Sequence, residues 1–238
     1  MDEGNITRGG EYDGRGDYHA ELDPNWPYYP VYVEKMARVR AYLDSQLPEE
    51  KFLDAGCGEG VLVKEYRKRG YEIVGVDLNY DSEYVRQGSI LDLDYADATF
   101  DHVLCLDVLE HLGYVEQERA IAEFDRVLKP GGKLLVSLPN LAHLASRLSF
   151  AVLGKLIRTS TPDRHPGDRP IAEYLSVLKP HFRVRRRIGL FPTFPIISVL
   201  TKLVPAKVLW LHKLYNRCLG YPNWCFLNLV FCEKQEAN

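Results

Sequence analysis

The sequence lacks the signatures of several common functional classes. Its five cysteines, Cys57, Cys105, Cys218, Cys225 and Cys232, contain no Cys-x-x-Cys pair. They therefore read as small buried hydrophobes of a reducing compartment, not as a zinc or disulfide framework. No glycine loop ends in Gly-Lys-Ser/Thr, which excludes a Walker-type phosphate loop, and no GxGxxG spacing admits a dinucleotide pyrophosphate. The N-terminal stretch is acidic and glycine-rich without an apolar signal core, so the expected location is the cytoplasm. A formal net charge of -3 argues against an enzyme that depends on a basic face to hold nucleic acid. A clean membrane span is also missing, because the apolar run from Ile196 to Leu219 is interrupted by Lys202, Pro205, Lys207, His212 and Lys213.

What is present centres on Leu53-Asp54-Ala55-Gly56-Cys57-Gly58-Glu59-Gly60. An apolar run precedes it and Val61-Leu62-Val63-Lys64-Glu65-Tyr66-Arg67 follows at helical spacing, so the glycines occupy a strand-to-helix turn. Three glycines at alternate positions leave main chain without Cβ atoms beside the first unpaired N–H groups of a helix. Glu59 inside the loop would repel a phosphate chain but tolerates a ligand carrying an amino group and a sulfonium. The pattern Asp54-x-Gly56-x-Gly58-x-Gly60 resembles motif I of the class I S-adenosylmethionine (SAM) dependent methyltransferases. The chain looks like their small-molecule branch, which contains the ubiquinone and menaquinone methyltransferases.

Further segments follow in the order that fold requires. Tyr71 to Asp77 is an apolar run ending in a carboxylate, at the interval that places an acid after the second strand of a Rossmann-like unit. The resemblance assigns Asp77 to the ribose hydroxyls, Leu78 to its flank, and Asp54, Gly56, Cys57, Gly58 and Gly60 to the donor. In the family an acid after the third strand takes the adenine amino group; here Ser89 stands there, followed by Ile90. Either Ser89 bonds more weakly or Asp92 reaches in. Leu106 and Asp107 end the fourth strand, where the family lines the methionine end of SAM. Val108 to Leu112 and Leu128 to Ser137 resemble the family's next two segments, and in the second of these Pro130-Gly131-Gly132 is expected to stop a helix and turn into a strand starting near residue 133.

The predicted fold is α/β, a Rossmann-like doubly wound seven-stranded sheet, mostly parallel, with strand 7 antiparallel and helices on both faces. Expected strands are about 51–55, 71–77, 84–88, 101–107, 133–138, 181–190 and 224–234, with helices over 31–47, 59–69, 115–128 and 141–153. Asp168 is expected to cap a helix over 169–179. Residues 1–30 read as a flexible arm followed by an aromatic, proline-rich stretch from Leu22, either a lid or packing on the sheet. Residues 31–238 form the methyltransferase domain with an apolar helical insertion at about 192–220. That insertion divides near Pro205 and would roof a greasy acceptor pocket, rest peripherally on a membrane surface, or pack on the sheet. The polar loop 159–168 either touches the acceptor or is a solvated connection. Arg183, Arg185 and Arg187 share one face of a strand and read as a solvated edge, with Arg186 out of pattern.

The expected activity is SAM-dependent transfer of a methyl group to oxygen or carbon of a small, hydrophobic acceptor. A hydroxyl acceptor needs a proton acceptor, and His111 is the first candidate, with His143 and His165 as reserves; a structural role is open for each. Asp107-x-x-Glu110-His111 resembles a magnesium-binding segment of some methyltransferases, but relatives carry Glu-His there without metal and none is assigned. The family that methylates amino groups of DNA or protein glutamine carries Asn/Asp-Pro-Pro-Tyr where this chain has Leu106-Asp107-Val108-Leu109, which disfavours that chemistry. A protein or RNA methyltransferase and a SAM-binding module without turnover are the competing classes.

Overall fold

The computed structural model describes residues 22–158 and 160–235. The expected flexible arm over residues 1–20, and Thr159 of the polar loop, lie outside the described residues. The described residues form seven strands and seven helices: α1 (Tyr29–Leu43), β1 (Lys51–Ala55), α2 (Val61–Arg67), β2 (Glu72–Asp77), β3 (Val85–Gln87), β4 (Phe100–Cys105), α3 (Tyr114–Val127), β5 (Leu128–Pro139), α4 (Leu144–Leu153), α5 (Ile171–Leu178), β6 (Phe182–Pro192), α6 (Pro195–Leu203), α7 (Leu209–Leu219) and β7 (Cys225–Lys234). The sheet order is β3-β2-β1-β4-β5-β7-β6, with the first five parallel and β7 antiparallel to both neighbours.

Burial on both faces follows from the pleat. Phe52, Leu104 and Leu135 enter one core with Val39, Leu43 and Tyr66 of α1 and α2, while their neighbours Leu53, Val103 and Leu134 enter the other with Phe124 and Tyr174 of α3 and α5. Adjacent side chains in a strand point to opposite faces, so near-continuous apolar runs are what a sheet covered on both sides requires. The order reverses at β1, whose chain continuation goes to β2 while β4 lies on its other side; a crevice outside the carboxyl ends of β1 and β4 is where such sheets take ligands.

Three local expectations are corrected. Asp168 does not cap α5: Pro170 occupies the N-cap position, and the first N–H of the helix, on Ile171, donates to Asn140 Oδ1 at 3.1 Å. Asp168 instead meets Arg158 and His165, each at 3.6 Å. Pro130-Gly131-Gly132 does not separate α3 from a later strand. β5 begins at Leu128, and these residues form an irregularity within it, the pairing passing from Phe100–Leu128 to His102–Lys133. A Cβ on Gly132 would lie 2.8 Å from the Lys129 carbonyl oxygen, so the close approach requires glycine. Arg183, Arg185 and Arg187 do not share one face: the β6–β7 register shifts between Val184 and Arg186, on the strand at the sheet's edge, so Arg183 opposes Glu233 while Arg187 opposes Val230 on the other face of β7. The break near Pro205 is as expected: α6 ends at Leu203 and a 3-10 turn over Ala206–Val208 leads into α7. No helix among the described residues is long and apolar enough to cross a membrane.

Candidate active site

β1 delivers Asp54 and Ala55 to the carboxyl edge, and the chain then turns through three glycines with φ of +77° at Gly56, +55° at Gly58 and +76° at Gly60. All lie in the left-handed region that a Cβ disfavours. The outer two also lack room: a Cβ on Gly56 would sit 2.5 Å from a Val108 methyl carbon, and one on Gly60 2.6 Å from Val85 Cγ2. A Cβ on Gly58 meets nothing within 4 Å. So the outer glycines seat the turn in the protein, and the middle one faces outward with bare main chain.

The turn is tied to β2. Gly56 N–H and Cys57 N–H donate to the Val76 carbonyl at 2.7 and 3.2 Å, and Gly58 N–H donates to Asp77 Oδ2 at 2.8 Å. Asp77 Oδ1 accepts from Asn79 N–H at 2.9 Å. Asp77 thus braces the glycine turn from the neighbouring strand. The Gly88 N–H donates to the Asp77 carbonyl, which brings Ser89 and Ile90 alongside. Ser89 Oγ accepts from Leu91 N–H at 3.2 Å within its own turn, Asp92 is exposed, and Ile90 is buried. Leu78 is exposed beside Asp77, and Leu106 packs partly buried against the α1-side core.

The third wall is acidic. Asp54 is buried, and burial, helped by the charge of Asp77 and opposed by Lys35, pushes its carboxyl up to about 7. Burial, reinforced by the charge of Asp107, raises the Glu110 carboxyl well above its ordinary value, and its Oε2 has no hydrogen-bond partner among the described residues. Burial would also raise Asp107, but the Lys35 ammonium beside it and hydrogen bonds from Lys35, Ser137 and Tyr28 outweigh that and keep it ionised. Ser137 Oγ donates to Asp107 Oδ1 at 2.6 Å and accepts from Asp107 N–H at 2.7 Å, holding Asp107 at φ +57°. Tyr28 OH donates to Asp107 Oδ2 at 3.3 Å, and Lys35 forms an ion pair with the same oxygen. The aromatic stretch before α1 is therefore docked at the carboxyl edge, with Trp26 5.1 Å from Tyr28 and Tyr28 6.3 Å from Phe226, centroid to centroid.

The candidate histidines divide. His111 Nδ1 lies 3.1 Å from the Arg164 carbonyl oxygen. A carbonyl only accepts, so Nδ1 carries the proton and Nε2 is the basic nitrogen. His165 stands edge-on to it, centroids 4.6 Å apart, with Asp168 behind. The polar loop thus meets the segment after β4. His143 is elsewhere in role: buried, it caps α4 through Nδ1, which accepts from Ser146 N–H and lies 2.9 Å from Thr193 Oγ1; burial lowers it to about 4. It is a structural histidine.

Lys35, Ser137 and Gln117 escape sequence reasoning. Gln117 Nε2 donates to the carbonyls of Leu109 and Gly167 at 2.7 and 2.9 Å, joining the His111 segment to the His165 loop. A signal exists for two of them. Lys35 falls between Val31 and Val39, and Gln117 ahead of Ile121 and Phe124, each on the apolar stripe of its helix. Ser137, inside an apolar strand, carries none. No group of three or more metal-ligating side chains is gathered among the described residues, and the carboxylate of Asp107 and the Nδ1 of His111 are engaged by protein groups.

Residues 53–136 match the family described as a methyltransferase domain. The chain is 30% identical over 174 residues to a ubiquinone biosynthesis O-methyltransferase of Nitrosococcus oceani, covering 65% of this chain and 70% of that one. It is 25% identical over 223 residues to the protein of the same description from Rickettsia akari, with 84% of each chain covered. In structure it is similar to a SAM-dependent methyltransferase from Methanosarcina mazei, with a TM-score of 0.55, 16% identity, and 83% of this chain and 98% of that one covered. A glycine turn that opens only at its centre, a carboxylate bracing it from the next strand, and anionic walls suited to a sulfonium and an ammonium group agree with these similarities: the chain belongs to the class I SAM-dependent methyltransferases.

Proposed function

We propose that this SAM-dependent methyltransferase acts on a hydroxyl oxygen of a small, apolar acceptor. The single observation that carries the reading is the outward-facing main chain at Gly58, clamped by Asp77 and flanked by the carboxyls of Asp54 and Asp107. When bound, SAM supplies an electrophilic methyl group on a sulfonium. Gly58 would offer main chain to the donor, with Gly56, Cys57 and Gly60 shaping the turn around it, Asp77 would accept from its ribose hydroxyls, and Leu78, Ser89 and Ile90 would flank the adenine. Asp54, Leu106 and Asp107 face its methionine end. Lys35 and Tyr28 fix the Asp107 carboxylate, so that end is preorganised before ligand arrives.

His111 Nε2 would take the acceptor's hydroxyl proton as the oxygen receives the methyl group. The Arg164 carbonyl sets the tautomer that makes this nitrogen basic. The remaining work is orientation of the acceptor behind the methyl group. An oxygen acceptor is favoured by the similarity to proteins described as O-methyltransferases and by a histidine pair joining two loops at the carboxyl edge.

The test is transfer from methyl-labelled SAM to a series of phenols with apolar tails of increasing length. Methyl ethers should form, and His111→Gln should lower kcat by about 10²–10⁴-fold with SAM affinity unchanged. Carbon-methylated products, or label found only in protein or RNA, would overturn the assignment.

A further inference from the structure

A second surface on the same edge of the sheet is built with the opposite charge. The register places Pro139 of β5 opposite Leu227, and Pro192 of β6 opposite Cys225, so α4 and α6 both leave from the carboxyl edge, beside the pocket. Residues 141–158 and 193–224, which contain α4, α6 and α7, carry seven lysines and arginines and no aspartate or glutamate. The rest of the chain carries 23 basic and 33 acidic residues.

These same helices are the least covered in the fold. α4 has seven apolar residues among ten, with Ser146, Arg147 and Ser149 the polar ones, yet buries only Ser146; Leu148, Phe150, Val152 and Leu153 are 52 to 79% exposed, and Leu156 and Ile157 continue the surface. Large apolar side chains left uncovered side by side mark a surface that meets something other than water. α6 exposes Ile196, Val199 and Leu203, at i, i+3 and i+7. α7 exposes Trp210, Lys213, Leu214 and Arg217, at i, i+3, i+4 and i+7, so indole, leucine and two cations share one face opposite buried His212. Beside α7 a groove of about 620 Å³ is lined by Arg38, Arg186, Lys213 and Arg217 with Glu34 as its one acid. Arg38, Lys213 and Arg217 form no ion pair among the described residues.

We propose that this face, the outer half of α4 with the exposed faces of α6 and α7, docks in the surface of a bilayer containing anionic lipid. Charge complementarity selects that occupant. Apolar and aromatic side chains would enter the headgroup boundary, while lysines and arginines at their flank meet lipid phosphates. The chain's net charge of -3 opposes approach to such a membrane, and this acid-free face offsets that locally. Docking sets the pocket's carboxyl edge beside the bilayer.

The protein has three tryptophans, of which Trp210 lies on this face, while Trp26 packs against Tyr32. The full chain should co-sediment with vesicles of phosphatidylcholine plus phosphatidylglycerol, and much less with phosphatidylcholine alone. Its tryptophan emission should shift to the blue on binding, by less in Trp210→Phe. Added salt should weaken the association. Each cation near an anionic surface contributes about fivefold, so Lys213→Glu with Arg217→Glu should lower partitioning at least tenfold. SAM-induced thermal stabilisation of that variant, equal to wild type, verifies its fold. Equal binding to both vesicle types, no binding to either, or unchanged partitioning of the double variant would overturn the proposal. So would a dimer that the same substitutions dissociate without any vesicle binding.

Discussion

One edge of a single sheet carries two surfaces of opposite character. Over β1, β2 and β4 the side chains are carboxylates, closed in by α1 and an aromatic stretch, and their one close cation, Lys35, is committed to Asp107. Over β5, β7 and β6 the emerging helices carry cations and uncovered apolar side chains. The difference teaches that charge on this fold is local to what each half meets. A pocket for a sulfonium concentrates acids in a low-dielectric crevice, where each is worth more than in water, whereas a face for anionic lipid keeps its cations solvated and spread over helices.

The largest expected effect separates ligand from fold in the acidic half. Gly58→Val should reduce SAM affinity by at least about 100-fold in calorimetric titration while costing about 1–2 kcal/mol of left-handed strain. Gly60→Val, which drives into Val85, should lose more stability than Gly58→Val in urea denaturation. If the two variants behaved alike, the distinction between a seated and an outward-facing glycine would fail.

Next in size is the ion pair of buried Lys35 with half-buried Asp107. Lys35→Met leaves Asp107 without its cation and should destabilise the protein by about 3 kcal/mol, the low end for a buried pair because Asp107 regains some water, measured by chemical denaturation. Adding Asp107→Asn should restore a large part, because the uncompensated charge is what costs.

The two halves should also respond to pH with opposite sign. Burial lowers His143, which caps α4, and His212, whose Nε2 lies 2.7 Å from Thr201 Oγ1 and so links α7 to α6, both to about 4 from an ordinary 6.5. In that window the unfolded chain binds more protons, so stability from these groups falls as pH drops below about 6.5, by on the order of 3 kcal/mol each at the limit. Asp54, raised to about 7 from 3.8, does the reverse: its folded form holds the proton more tightly, and its contribution is lost as pH rises through about 7. Hydrogen exchange, with intrinsic rates corrected for pH, should show α4 and α7 opening more at pH 5 than at pH 7 while β1 and the glycine turn do not. Parallel loosening of both would contradict the assignment.

The smallest effect lies on the solvated edge. Arg185 pairs with Glu233 at 2.8 Å, but both are solvent-screened, so Arg185→Ala should leave the midpoint of the same denaturation experiment nearly unchanged.

The acidic half was the more legible in the sequence. Its strands are short apolar runs closed by glycine or an acid, and Asp54, Gly58 and Asp77 lie within 24 residues of one another, so local pattern and chain order suffice. What escaped depends on distance along the chain. Lys35 reaches Asp107 across 72 residues, and Asn140 caps α5 from 31 residues away because Pro170 and the fold displace Asp168 from that role. The irregularity at Pro130–Gly132 reads as a turn in isolation and becomes part of a strand only because β4 lies alongside. The helices after β6 showed their division at Pro205. Their exposure required the fold, since an apolar residue in a sequence does not reveal whether anything covers it.

The central claim is tested most directly by a crystal structure grown with S-adenosylhomocysteine, the demethylated product. The nucleoside should lie against the main chain of Gly58 with both ribose hydroxyls on Asp77, and the homocysteine end should point toward Asp54 and Asp107. A crevice that takes a pyrophosphate cofactor instead, or product bound away from Gly58 and Asp77, would contradict it.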